Sequence, residues 1–208
     1  MADCCEDKSC ALEQLRDRQS GTLKIVLWIN AAMFVVVLAA GLYASSSALL
    51  ADSLDNLGDA LTYALSLYAV GRSERAKGLV SMFKGTLILA AALFVMGQIG
   101  YKLLHPGVPL FAAMGVVGAL SLAANATCLA LLWKHRDEDV NMASVWECSR
   151  NDIAGNLAVL LAAGAVWLFG AGWPDVLIGL LLALLFLRSA IRVFRASFAA
   201  LRAAPEAS

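Results

Sequence analysis

Charge is scarce in this chain. Only 15% of its 208 residues are Asp, Glu, Lys or Arg, and histidine occurs just twice. Basic and acidic residues cancel at 16 each, and no basic patch suggests a nucleic-acid partner. The five cysteines do not form a disulfide framework: Cys4, Cys5 and Cys10 crowd a polar N-terminus, while Cys128 and Cys148 lie in apolar runs. Residues 1–21 lack the apolar stretch of a signal peptide. What remains is apolar, with 61% hydrophobic residues and a mean hydropathy of +0.74. A soluble domain has about 45–50% apolar residues. The composition is that of an integral membrane protein.

Six segments reach the ~20 residues that one bilayer crossing needs. They run approximately over 22–43, 48–70, 79–102, 110–133, 143–170 and 174–196. Lipid forces backbone polar groups to be satisfied within each segment, so an all-α bundle of six transmembrane helices is expected. Polar loops are expected at 71–78 and 134–141, and short connections at 44–47, 104–109 and 170–174. If the spans alternate, nearly every Lys and Arg falls on one side, from Arg16, Arg18 and Lys24 to Arg72, Arg75, Lys134, Arg188 and Arg195. Only Lys102, with His105, falls on the other. The positive-inside rule therefore places both termini in the cytoplasm. The division is a Cys-containing N-terminal tail (1–21), a six-helix transmembrane domain (22–198) and a short cytoplasmic tail (199–208).

Against this background Asp52, Asp55 and Asp59 stand out. They interrupt the apolar second span, and their spacings put all three within about 60° on one helix face. A carboxylate at the bilayer centre costs about 2.5–3.5 kcal/mol. A bound cation, or protons in its place, would offset that cost. The fifth span carries Cys148 and Asp152 one turn apart, with Glu147 pointing about 140° away from Asp152. The second and fifth spans run antiparallel, so the two pairs should meet near the midplane. Three oxygen donors and one sulfur suit four-coordinate zinc. A thiolate also favours zinc, cadmium or copper(I) over magnesium or calcium.

The run from Leu49 to Asp59, LLADSLDNLGD, resembles the second-helix signature of the cation diffusion facilitator family. Six spans with cytoplasmic termini fit it too. The resemblance implies that Asp55, Asp59 and Asp152 are metal ligands, with Cys148 in the place usually held by His. It further implies proton-coupled efflux of divalent transition metals, zinc or cadmium foremost, by alternating access. The metal is then substrate and the proton counter-ion, with no cofactor. A homodimer in the bacterial inner membrane is implied as well. Two departures stand beside the Cys148 exchange. About ten residues follow the last span, so a minimal member without the C-terminal cytoplasmic domain is expected. The His-rich loop of zinc-selective relatives is reduced to His135.

Several residues keep two readings. Asp52 lies a turn nearer the outer surface than Asp55, as an accessory ligand on the exit path or as a helix-joining residue. Glu147 is an accessory ligand or attracts cations at the cytoplasmic mouth. Cys148 is a ligand or a small apolar filler. Cys128 has no acidic neighbour at helical spacing and reads as packing. Cys4, Cys5 and Cys10, among acidic residues, either capture soft metal or belong to a plain tail. A metal-responsive channel or sensor without proton antiport is the alternative function. No enzyme is expected: the acids sit one turn apart in one segment, and Gly-x-Gly-Asp and Gly-x-Ser-x-Gly sequences are absent.

Overall fold

The structure is a computed structural model and describes residues 3–69, 74–133 and 140–203; side chains are described for 21–64, 85–133 and 152–188 and a few neighbours. Its six helices are α1 (Asp3–Tyr43), α2 (Ser47–Ala69), α3 (Glu74–Leu104), α4 (Phe111–Trp133), α5 (Val140–Phe169) and α6 (Trp173–Ala203). Each coincides with one expected segment to within a residue or extends beyond it, and α1, α3 and α6 run well past the apolar stretch. Residues 3–21, expected as a tail, continue α1 as one helix. α3 begins at Glu74, inside the expected loop, because Glu, Arg, Ala and Lys favour helix even where they are too polar for lipid. α6 runs to Ala203 for the same reason.

Among the described residues, four helices contain segments long and apolar enough to cross a membrane by length and composition: Gly21–Tyr43, Gly85–Leu104, Phe111–Trp133 and Asp152–Phe169. Their exposed faces are apolar. Trp28, Val116, Leu161 and Leu168 are each at least 70% exposed. Asn30, Asp52, Ser121, Asn125, Asp152 and Asn156 are buried instead. In water this distribution would be costly on both counts. In lipid the polar groups belong inside, where they can find one another.

α1 packs along α2, α3 along α6, and α4 along α5, while α2 also touches α3, α5 and α6. The acid-bearing helix is thus enclosed by four others. Three short connections share one end of the bundle, here the turn end. Residues Ala44–Ser46 make the tightest of them. Ser45 adopts φ +48°, and its N–H bonds Leu42 O while Ser46 N–H bonds Gly41 O, a Schellman closure of α1. Ser46 then caps α2, accepting the Leu49 N–H on its hydroxyl at 3.1 Å. Leu110 N–H reaches Ala44 O at 3.1 Å and ties the α3–α4 connection to the same turn.

Two apolar clusters bracket the polar interior. Towards the turn end, Val37, Leu49, Met114, Val159 and Val166 pack together. Towards the opposite end, Leu23, Val26, Tyr63, Cys128 and Leu132 do so. The buried carboxylates of α2 and α5 lie on the helices between these clusters.

Candidate metal centre

Asp52 and Asp55 of α2 and Asp152 of α5 line one side of a half-open cavity of ≈ 510 Å³. The opposite wall is apolar and comes from α6, with Ile178, Leu181, Leu182, Leu185 and Phe186. Ala154, Gly155 and Ala158 of α5 complete it; their small side chains leave the space open. One water occupies about 30 Å³ of liquid, so the cavity admits a cation with part of its hydration shell.

The Asp55 carboxyl meets that of Asp152 within hydrogen-bonding reach, and Asp59 and Asp52 are close enough to act on Asp55 through their charges. Two carboxylates this close repel one another unless a proton or a cation offsets their charge. α2 and α5 thus bring Asp55 and Asp152 to one cavity, while Cys148, the other member of the expected α5 pair, lies outside the described side chains.

The other acids have separate partners. Asp52, 2% exposed, accepts the Ser121 hydroxyl of α4 at 2.9 Å. Asp59 accepts the Tyr63 hydroxyl at 3.1 Å, one turn along its own helix. Asp52 thus stands on the cavity wall, while Asp59 is held on the side towards Tyr63. Among the described residues no three His, Cys, Asp or Glu side chains form a ready-made metal cluster. Cys148 and Glu147 fall on α5, and Cys4, Cys5 and Cys10 on α1, but their side chains lie outside the described residues, as does His135 altogether.

Two features escaped the sequence, the partners of Cys128 and the role of Asp175; the sequence leaves Asn56 and Asn156 open between supporting hydrogen bonds and joining helices. Cys128, read as packing, receives the Asn30 amide at 3.7 Å and packs in one cluster with Tyr63, the partner of Asp59. Its acidic neighbours arrive across helices, which spacing within one helix cannot reveal. Asn56 Oδ1 and both amide atoms of Asn156 are buried without a hydrogen-bond partner among the described residues. Asn156 lies one turn from Asp152, so the polar groups extend beyond the carboxylates. Asp175 was not singled out either, although it is wholly buried at the start of α6 and pairs with Lys102 at 2.9 Å. Its signal was available: Lys102 is the only Lys or Arg expected on that side.

Residues 23–202 match the cation efflux transmembrane domain. The chain belongs to that family, the cation diffusion facilitators. Among its relatives is the zinc transporter ZitB of Yersinia pestis, 25% identical over 198 residues, which are 88% of this chain and 63% of the relative. Another is the cadmium, cobalt and zinc/H(+)-K(+) antiporter of Bacillus subtilis (strain 168), 22% identical over 199 residues, 87% of this chain and 64% of the relative. The chain thus spans a little under two thirds of the length of these relatives. Family membership makes this an integral membrane domain, in agreement with the four apolar segments among the described residues.

Proposed function

We propose that this protein exports divalent transition-metal ions, zinc or cadmium, in exchange for protons by alternating access. The observation that carries the reading is the contact between Asp55 and Asp152 on the wall of the cavity between α2, α5 and α6. Two carboxyl groups held together in lipid form a binding place for one dication or for protons, and not for both at full occupancy. Metal ligands must be deprotonated, so binding the ion releases protons and protonation releases the ion. Asp59 and Cys148 complete the coordination, with Asp52 or Glu147 as accessory groups. A thiolate from Cys148 selects for softer cations. The family assignment and the named activities of the two relatives support the same chemistry.

In this reading all six helices cross the bilayer and the termini face the cytoplasm, as the distribution of Lys and Arg requires. The turn end then faces outward. The protein acts as a homodimer in a bacterial inner membrane and is not an enzyme.

Zinc uptake into proteoliposomes under an imposed pH gradient tests the proposal. Wild-type uptake is expected to follow the gradient, and Asp59→Asn and Asp152→Asn to abolish it. Full activity in both variants would remove the proposed site. Uptake that follows the metal gradient and ignores the pH gradient would make the protein a channel.

A further inference from the structure

Asp175 lies at the start of α6, 0% exposed, and its carboxylate takes four donors from two other elements. Oδ1 accepts the Ser46 hydroxyl at 2.5 Å and the Ala48 N–H at 3.0 Å. Oδ2 accepts the Ser47 N–H at 2.7 Å and the Lys102 ammonium at 2.9 Å. Lys102, in the last turn of α3, also donates to Ser45 O. A single carboxylate therefore joins the beginning of α2, the end of α3 and the beginning of α6. Each charge also suits its helix terminus, anionic at an N-terminus and cationic at a C-terminus.

This junction sits directly above the cavity. Ile178, a cavity residue, is three positions after Asp175, and Asp52 is four after Ala48. That is about one helical turn, roughly 6 Å. At the same level α2 and α6 touch backbone to backbone, since a Cβ on Gly179 would lie 2.7 Å from Ser47. Nothing can pass between the two helices there. The Ser47 hydroxyl, buried in this seam, has no hydrogen-bond partner among the described residues, so it gains one if the seam admits water.

We infer that Asp175 and Lys102 form a latch that closes the turn end of the cavity and parts when the site opens outward. The inference rests on the alternating-access reading above. A permanent contact has no need of charge, because a buried ion pair replaced by apolar groups is often as stable or more so. A carboxylate that depends on several donors at once behaves differently. It is held fully or not at all, since losing partners leaves a buried charge uncompensated. The contact therefore has two states, closed with four donors or open to water. Asp175 and Lys102 are positioning residues in this account: neither touches the ion, and both act through the placement of α2 and α6.

The test is labelling of an Ile178→Cys reporter by a membrane-impermeant thiol reagent applied at the turn end, without metal. Rates are corrected with matched proteins that keep Ile178. Lys102→Gln is expected to raise the rate about tenfold, the factor set by losing a hydrogen bond to a charged group. Lys102→Arg is expected to keep it slow. Should Lys102→Gln fail to fold, Ser46→Ala removes the hydroxyl donor to Asp175 together with the cap on Leu49 N–H and leaves the ion pair, with an expected rise of about tenfold. Equal rates in the folded variants and the parent would overturn the latch. Because the readout needs no transport, faster labelling supports the latch even if zinc does not move, and that second result would overturn only the proposed function.

Discussion

Asp55 and Asp152 illustrate what one residue can reveal. Each is expensive in lipid alone, and the expense is why both were legible in the sequence. Spacing placed them on facing helices, and the structure brings their carboxyls together. Cys128, read as packing, is indeed buried in an apolar cluster with Val26, Tyr63 and Leu132, while its contact with Asn30 of α1 spans two helices and left no mark in the spacing. Spacing also left open the Asp52–Ser121 bond, because a serine in an apolar run carries no energetic signal. Removing one charge at the meeting point is the direct residue-scale prediction. Asp55→Asn is expected to lower metal affinity by more than tenfold, measured by zinc titration of the purified protein. Thermal stability should hold or rise, since one like charge leaves the cluster. Cys148→His is expected to shift relative uptake from cadmium towards zinc, because imidazole is a harder ligand than thiolate; proteoliposomes offered both ions would report the ratio.

Helices were read well and their ends poorly. Hydropathy anticipated six helical segments, and among the described residues four of the helices are long and apolar enough to cross a membrane. It could not locate the ends at Asp3, Glu74 and Ala203, where polar helix-forming residues carry the helix beyond the apolar stretch. Nor could it identify what fixes α2. That helix begins under two caps, Ser46 on Leu49 N–H and Asp175 on Ser47 and Ala48 N–H. The second comes from a residue more than a hundred positions away. Packing at this level leaves no room: Gly179→Leu must push α6 off Ser47. Overpacking of this kind costs about 1–3 kcal/mol, and a lowered unfolding temperature in detergent would register it. An unchanged unfolding temperature would mean that α2 and α6 are not in close contact there.

Among the described residues the intramembrane polar groups are buried and large apolar side chains cover the exterior. Two apolar clusters bracket the carboxylates, and the turn end is drawn together by Asp175. Composition made the membrane character plain, and the family match over residues 23–202 agrees with it. The half-open cavity was not foreseeable, because α6 contributes only ordinary apolar side chains to it. At this scale the prediction concerns pH. Protons and metal compete for the same carboxylates, so apparent metal affinity should rise as pH rises and fall as it drops. The most direct check uses proteoliposomes with a trapped pH indicator, to which zinc is added outside. Wild-type protein is predicted to release protons outward as zinc enters, raising the internal pH, and Asp152→Asn to give neither signal. Zinc entry in the wild type with no change in internal pH would contradict metal–proton exchange at this site.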